Sequence, residues 1–194
     1  RFSHMVSVSS NQFGMTAYAK EQFGDESEYA KQSYAKGDMN TSIIKTIQGK
    51  TIVLQHDATS PRPYSRKHTV SGTKGFAQKY PVKGLAFEPN AHAFLPNEQM
   101  DSVLQQYAHP IVKEIEKKAK EVGGHGGMDF IMDYRLIYCL RNGLPLDQDV
   151  YDAAEWSSII QISRESTVND GQPIKIPDFT RGAWKKIDQV TYYQ

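Results

Sequence analysis

The segment Gly123-Gly124-His125-Gly126-Gly127-Met128-Asp129 sets one imidazole among four glycines. Glycine gives up more freedom on folding than any other residue, so such a cluster points to left-handed backbone or to a close approach of main chain to another group. The segment follows a charged helical stretch ending near Val122 and precedes an apolar one starting near Met128. His125 is therefore expected at a helix N-terminus, where free N–H groups and the helix dipole favour anions and polar ligand groups. A solvated interhelical loop accounts for the same residues. A second candidate is Gln55 to Arg66, polar and aromatic groups at the end of a strand, with Pro61 and Pro63 stiffening the exit. Tyr64 there can stack on or hydrogen-bond a sugar ring, and Arg62 or Arg66 can fork onto an acidic group. A capped surface loop with Tyr64 packed on the sheet fits equally. The carboxylate pair of a conventional glycosidase would come from Asp57, Glu88, Asp129 or Asp133, and nothing marks two of them as partners. Asp129 and Asp133, four apart, share a helix face. Tyr134, Tyr138 and Ile131 are expected in the core, since apolar stripes at helical spacing usually bury.

His4, His56, His68, His92, His109 and His125 show neither H-E-x-x-H nor another ligand spacing, so no metal site is expected. No G-x-G-x-x-G occurs, so any nucleotide-binding domain must lie elsewhere. The single cysteine, Cys139, excludes a disulfide framework and a cysteine-based metal site.

The elements that must hold these groups divide the chain in two. Strand signals fill the first half: Met5 to Ser10 alternates apolar residues with serine, and Met39 to Ile47 and Thr51 to Gln55 are rich in β-branched residues around a Gln48-Gly49 hairpin turn. His68 to Gly72 reads as a further strand closed by Gly72 to Gly75. Tyr18 to Tyr34, a polar insertion with four aromatics, carries no clear period, and Pro81 to Pro96 reads as irregular. Three helices follow, over Glu98 to Val122, Met128 to Leu140 and Val150 to Ser166. Asn142-Gly143 closes the second, and Asp147 or Asp149 caps the third. Gly171 to Pro177 turns into a short final strand whose prolines suit an edge. Strands grouped before helices favour an α+β fold.

Length fits one domain over residues 1–194 with a core that hides roughly 70% of the unfolded chain's surface. The 23 basic residues against 22 acidic ones leave no field to attract nucleic acid or an anionic membrane. No stretch reaches the ~20 apolar residues of a membrane span, and the first residues lack the layout of a signal peptide. The chain opens on Arg1 without an initiator methionine, so a piece of a longer protein is expected, periplasmic or secreted if that protein carries an export signal.

His68 to Gly75, the loop Pro61-Arg62-Pro63-Tyr64-Ser65-Arg66 and the Gly-Gly-His-Gly-Gly-Met-Asp segment together resemble the C-terminal part of glycoside hydrolase family 109, the NAD-dependent α-N-acetylgalactosaminidases. The tail from Leu146 through Ile174 is similar to the ending of the wider Gfo/Idh/MocA oxidoreductase superfamily. The resemblance implies an open, mostly antiparallel sheet with helices on one face, its other face often packed on a second subunit. It implies an N-terminal Rossmann domain, absent here, that holds NAD, and a hydrolysis by transient oxidation at sugar C3, elimination and water addition without net redox. Tyr64 matches the family's sugar-contacting tyrosine. His125, and with it Arg62, is expected to face the same pocket, while the family's Tyr-Pro-x-His motif would precede Arg1. The chain alone is then expected to be inert and without catalytic residues of its own. Two rivals remain: a sugar dehydrogenase of the Gfo/Idh/MocA type, and a non-catalytic carbohydrate-binding or oligomerisation module.

Overall fold

A computed structural model describes residues 1–186, so residues 187–194 of the expected domain lie outside the described residues. The described residues form two compact units: Arg1–Pro61 together with residues 146–186, and Arg62–Pro145. The fold is α+β, with antiparallel open sheets and six α-helices among the described residues.

The first unit is built on a sheet in the order β3 (Thr51–Asp57), β2 (Met39–Thr46), β1 (Phe2–Ser9), β7 (Ile174–Lys175). Side chains alternate across a strand, and β1 accordingly sends Met5 and Ser7 inward and leaves His4 and Val8 exposed. Register carries this across the sheet, setting Met5 against Ile44 and Ser7 against Ser42. Helix α6 (Val150–Val168) packs over β1 and contributes Ile162 to a core with Met5, Ile44 and Ile176. Burying each such side chain stabilises by about 1.5–3 kcal/mol. The opposite face stays open: Val6, Ile43 and Val53 stand in one cross-strand row, and Ile43 and Val53 are exposed.

Half of the helix-sheet seam is polar. The ladder between β1 and β7 ends at Met5, and the Ser7 N–H beyond it donates instead to Ser166 Oγ on α6 at 2.8 Å. Ser166 Oγ in turn donates to the Gln172 carbonyl at 2.7 Å. Ser7 Oγ donates to Asn40 Oδ1 at 3.0 Å, so these buried groups are satisfied by one another.

Of the two proposed caps for α6, Asp149 serves. Its carboxylate accepts from the N–H of Tyr151 and Asp152 while Asp152 accepts from the Asp149 N–H, a reciprocal capping box. Helix α6 also ties down the start of β1: Asp152 holds Arg1 at 2.7 Å, and buried Glu155 accepts from the Phe2 N–H at 2.9 Å. The aromatic insertion resolves into α1 (Gly14–Phe23) and α2 (Glu28–Lys31), packed through Ala19 and Ala30. Asp38 caps α1, accepting from the N–H of Phe13, Gly14 and Met15 at 2.7, 2.7 and 2.9 Å. Those three bonds favour its charged form and hold its carboxyl below the ordinary carboxylate range.

The second unit holds the three-stranded meander β4 (Thr69–Ser71), β5 (Gly75–Gln78), β6 (Gly84–Phe87), followed by α3 (Asn97–Gln106), α4 (Pro110–Val122) and α5 (Met128–Asn142). Two expectations change here. Strand β6 lies inside the stretch read as irregular, and the helix expected over Glu98 to Val122 is two helices. Pro110 lacks an N–H and pushes the residue before it out of helical geometry. His109 is extended at φ −57°, ψ 135°, and its Nδ1 accepts from the Ile111 N–H to start α4 afresh.

Candidate functional site

The glycine segment is an elbow between α4 and α5. Gly123, Gly124, His125, Gly126 and Gly127 all have positive φ, from 44° to 95°. Five consecutive residues of that hand explain the composition, since a side chain tolerates such backbone poorly. Gly127 has a second reason: a Cβ there would stand 2.8 Å from the Ala119 carbonyl carbon, so the elbow closes on α4 only with glycine. A single 3-10 turn, His125–Gly127, leads into α5.

His125 is exposed, and its Nδ1 lies 2.9 Å from Oδ2 of Asp129 in the first turn of α5. A carboxylate only accepts, so Nδ1 donates to it and the contact orients the imidazole ring. Gly124 and Asp129 line the end of a groove of about 800 Å³ that runs along α5 past Phe130, Asp133, Tyr134 and Tyr138 to Arg141. Its size falls in the range of small-molecule sites.

Tyr64 stands on the irregular segment before β4 with 70% of its surface exposed. Its phenol oxygen accepts from Arg66 Nε at 2.6 Å, the Arg66 guanidinium carbon lies 5.9 Å from the ring centroid, and the ring meets Tyr80 edge-on with centroids 5.9 Å apart. The bond from Arg66 raises the guanidinium further above its ordinary value, so the cation is permanent. A phenol that accepts from a cation keeps its own hydrogen to donate. Arg62 is exposed on the same segment, two residues away.

Tyr64, Arg62 and His125 all belong to the second unit. The groove beside His125 does not include Tyr64 in its lining, and no described cavity holds both side chains. Tyr134 and Ile131 are half-buried and Tyr138 is exposed, so the expectation that these three form core does not hold in this chain. Periodicity reports which residues share a face, not whether anything covers it. Arg66, read from the sequence as a partner for an acidic group, is bonded to Tyr64 instead, and Tyr80, which meets the Tyr64 ring, was not singled out by the sequence.

Among the described residues no group of three or more His, Cys, Asp or Glu side chains converges to hold a metal. All described strand pairs are antiparallel, and the glycine elbow joins two helices rather than a strand and a helix. The elbow thus differs from the glycine-rich strand-to-helix turn of the doubly wound dinucleotide-binding fold.

The family model of the glycosyl hydrolase 109 C-terminal domain matches residues 1–186. An alpha-N-acetylgalactosaminidase of Bacteroides fragilis is 53% identical over 186 residues, covering 96% of this chain and 44% of the relative. A glycosyl hydrolase family 109 protein of Phocaeicola vulgatus is 53% identical over 186 residues, with 96% and 45% covered. One from Porphyromonas gingivalis is 45% identical over 201 residues, with 96% and 42% covered. The chain thus spans less than half the length of these relatives. A match across both compact units, carrying the Tyr64 segment and the histidine elbow with it, places the chain in glycosyl hydrolase family 109, as its C-terminal domain.

Proposed function

We propose that this domain is the sugar-facing part of an α-N-acetylgalactosaminidase, with Tyr64, Arg62 and His125 contacting an N-acetylgalactosaminide. The observation that carries the reading is the 53% identity, over nearly the whole chain, to a protein named alpha-N-acetylgalactosaminidase. The reaction is assigned to an NAD cofactor held on an N-terminal Rossmann domain outside this chain, by transient oxidation of the sugar, and the domain alone is inert. Tyr64 supports the reading as an exposed phenol whose oxygen is tied by a cation, so it donates to a sugar oxygen at a fixed position. His125, oriented by Asp129, supplies a second polar contact. The open face of the first sheet is assigned to a second subunit.

The test is hydrolysis of a chromogenic α-N-acetylgalactosaminide by the whole protein that carries this domain. Tyr64→Phe is expected to lower kcat/KM by about tenfold, the worth of one hydrogen bond. An unimpaired variant removes Tyr64 from the site. Steady NADH release without aglycone release would mean a sugar dehydrogenase instead.

A further inference from the structure

The meander of the second unit has one face sorted into two rows. Side chains alternate along a strand, and the register pairs Val70 with Ala77 and Ala77 with Leu85, an apolar row across all three strands. One alternation further, the Lys79 N–H donates to the His68 carbonyl at 2.9 Å, and Gln78 lies opposite Gly84. The same register therefore sets His68, Lys79 and Lys83 in the next row on that face. Both rows, with Met100 and Leu104 of α3, line a pocket of about 270 Å³. Val70 and Leu104 remain exposed, so the pocket opens to solvent.

Like charges directly opposite one another on a sheet are destabilising. Lys79 and Lys83 are so placed, and no carboxylate lines the pocket among the described residues. The described ion pairs include neither lysine and not His68. Lys79 Nζ lies 5.6 Å from the Tyr80 ring centroid, and a ring face neutralises no charge.

We propose that this pocket binds a straight-chain carboxylate. Its tail lies on the apolar row and on Met100 and Leu104, and its carboxylate sits between Lys79, Lys83 and the His68 imidazole. If each methylene takes the ~30 Å³ of a water molecule, the pocket holds a tail of about eight carbons. That is one chain, so a two-tailed lipid does not fit. Inorganic phosphate would meet the cations and leave the apolar row wet. An apolar protein segment would bury the ammonium groups unpaired, and the apolar row leaves a saccharide's hydroxyls without partners; both are costly. The assignment needs no turnover at Tyr64 and stands without the catalytic reading.

The test is calorimetric titration of the whole protein with straight-chain carboxylates from butanoate to dodecanoate, below their micelle concentrations, with octanol as the uncharged control. Affinity is expected to rise about fourfold per methylene, the worth of each buried CH₂, and to level off near octanoate. Octanol is expected to bind more weakly than octanoate. Lys83→Glu, at an exposed position, is expected to weaken octanoate by several-fold to about tenfold and to leave octanol unchanged. Val70→Ser, also exposed, is expected to weaken both ligands. Tyr64→Phe is expected to leave octanoate binding unchanged while hydrolysis falls, so the two readings fail separately. Phosphatidylglycerol vesicles are expected to sediment no more of the protein than phosphatidylcholine vesicles do. The proposal is overturned if octanoate binds no better than butanoate or octanol, or if folded Lys83→Glu and Val70→Ser proteins bind it like the parent. Preferential sedimentation with phosphatidylglycerol that Lys83→Glu removes would overturn it too, since the row would then read a membrane surface.

Discussion

Tyr64 and Arg66 act as one unit, because the guanidinium both donates to the phenol oxygen and lies near its ring. Arg66→Met is therefore expected to lower kcat/KM for a glycoside by up to about tenfold in the whole protein, the worth of one hydrogen bond made by a charged group at an exposed site. Arg66→Lys is expected not to restore it, since an ammonium lacks the planar fork; steady-state kinetics of the two variants checks this. Asp38 gives a prediction about pH. Its carboxyl sits below its ordinary value because three backbone N–H groups bond the charged form. Stability from this cap is present above the unfolded value and is lost as pH falls through the lower folded one. Asp38→Asn is expected to unfold at lower temperature than the parent near neutrality, with the gap closing in acid, as thermal melts across that range will show. Tyr64 and His125 were legible as candidates from residue type and glycine context. Arg66's bond to Tyr64 was not, because two side chains on an irregular segment meet only once its backbone path is fixed.

At the scale of elements, the glycine elbow and the core of the first sheet carry opposite kinds of constraint. Gly127→Ala puts a Cβ on left-handed backbone at φ 95° and against the Ala119 carbonyl. The first term alone costs about 1–2 kcal/mol, and denaturant unfolding is expected to show a larger total. Ile44→Ala, at a position only 1% exposed, is expected to cost about 2–5 kcal/mol in the same measurement. The strands of that sheet were readable because serine and apolar residues alternate with period two from Met5, and α6 because apolar residues recur at three and four spacing from Val150, whereas the choice of Asp149 over Asp147 as its cap came only with the structure. The break at Pro110 was missed because Glu98 to Val122 keeps a helical apolar period straight across it. A proline that ends one helix also starts the next well, and only the extended His109 separates the two cases.

At the scale of the whole molecule, Ile43 and Val53 leave apolar surface on the open side of the first sheet. Such a face favours association. Light scattering of this chain is expected to show mass rising with concentration, and Val53→Lys is expected to reduce that rise without lowering the melting temperature. The seal at Ser7 bears on how such contacts can grow. With that amide stoppered by a hydroxyl from α6, and β7 only two residues long and followed closely by Pro177, one margin of the sheet offers no rungs to a newcomer. Among the described residues, recruitment of another strand to this sheet is confined to the far side of β3. Two copies that zip together there use up the edge that this sheet has to offer, so pairing through it terminates as a dimer.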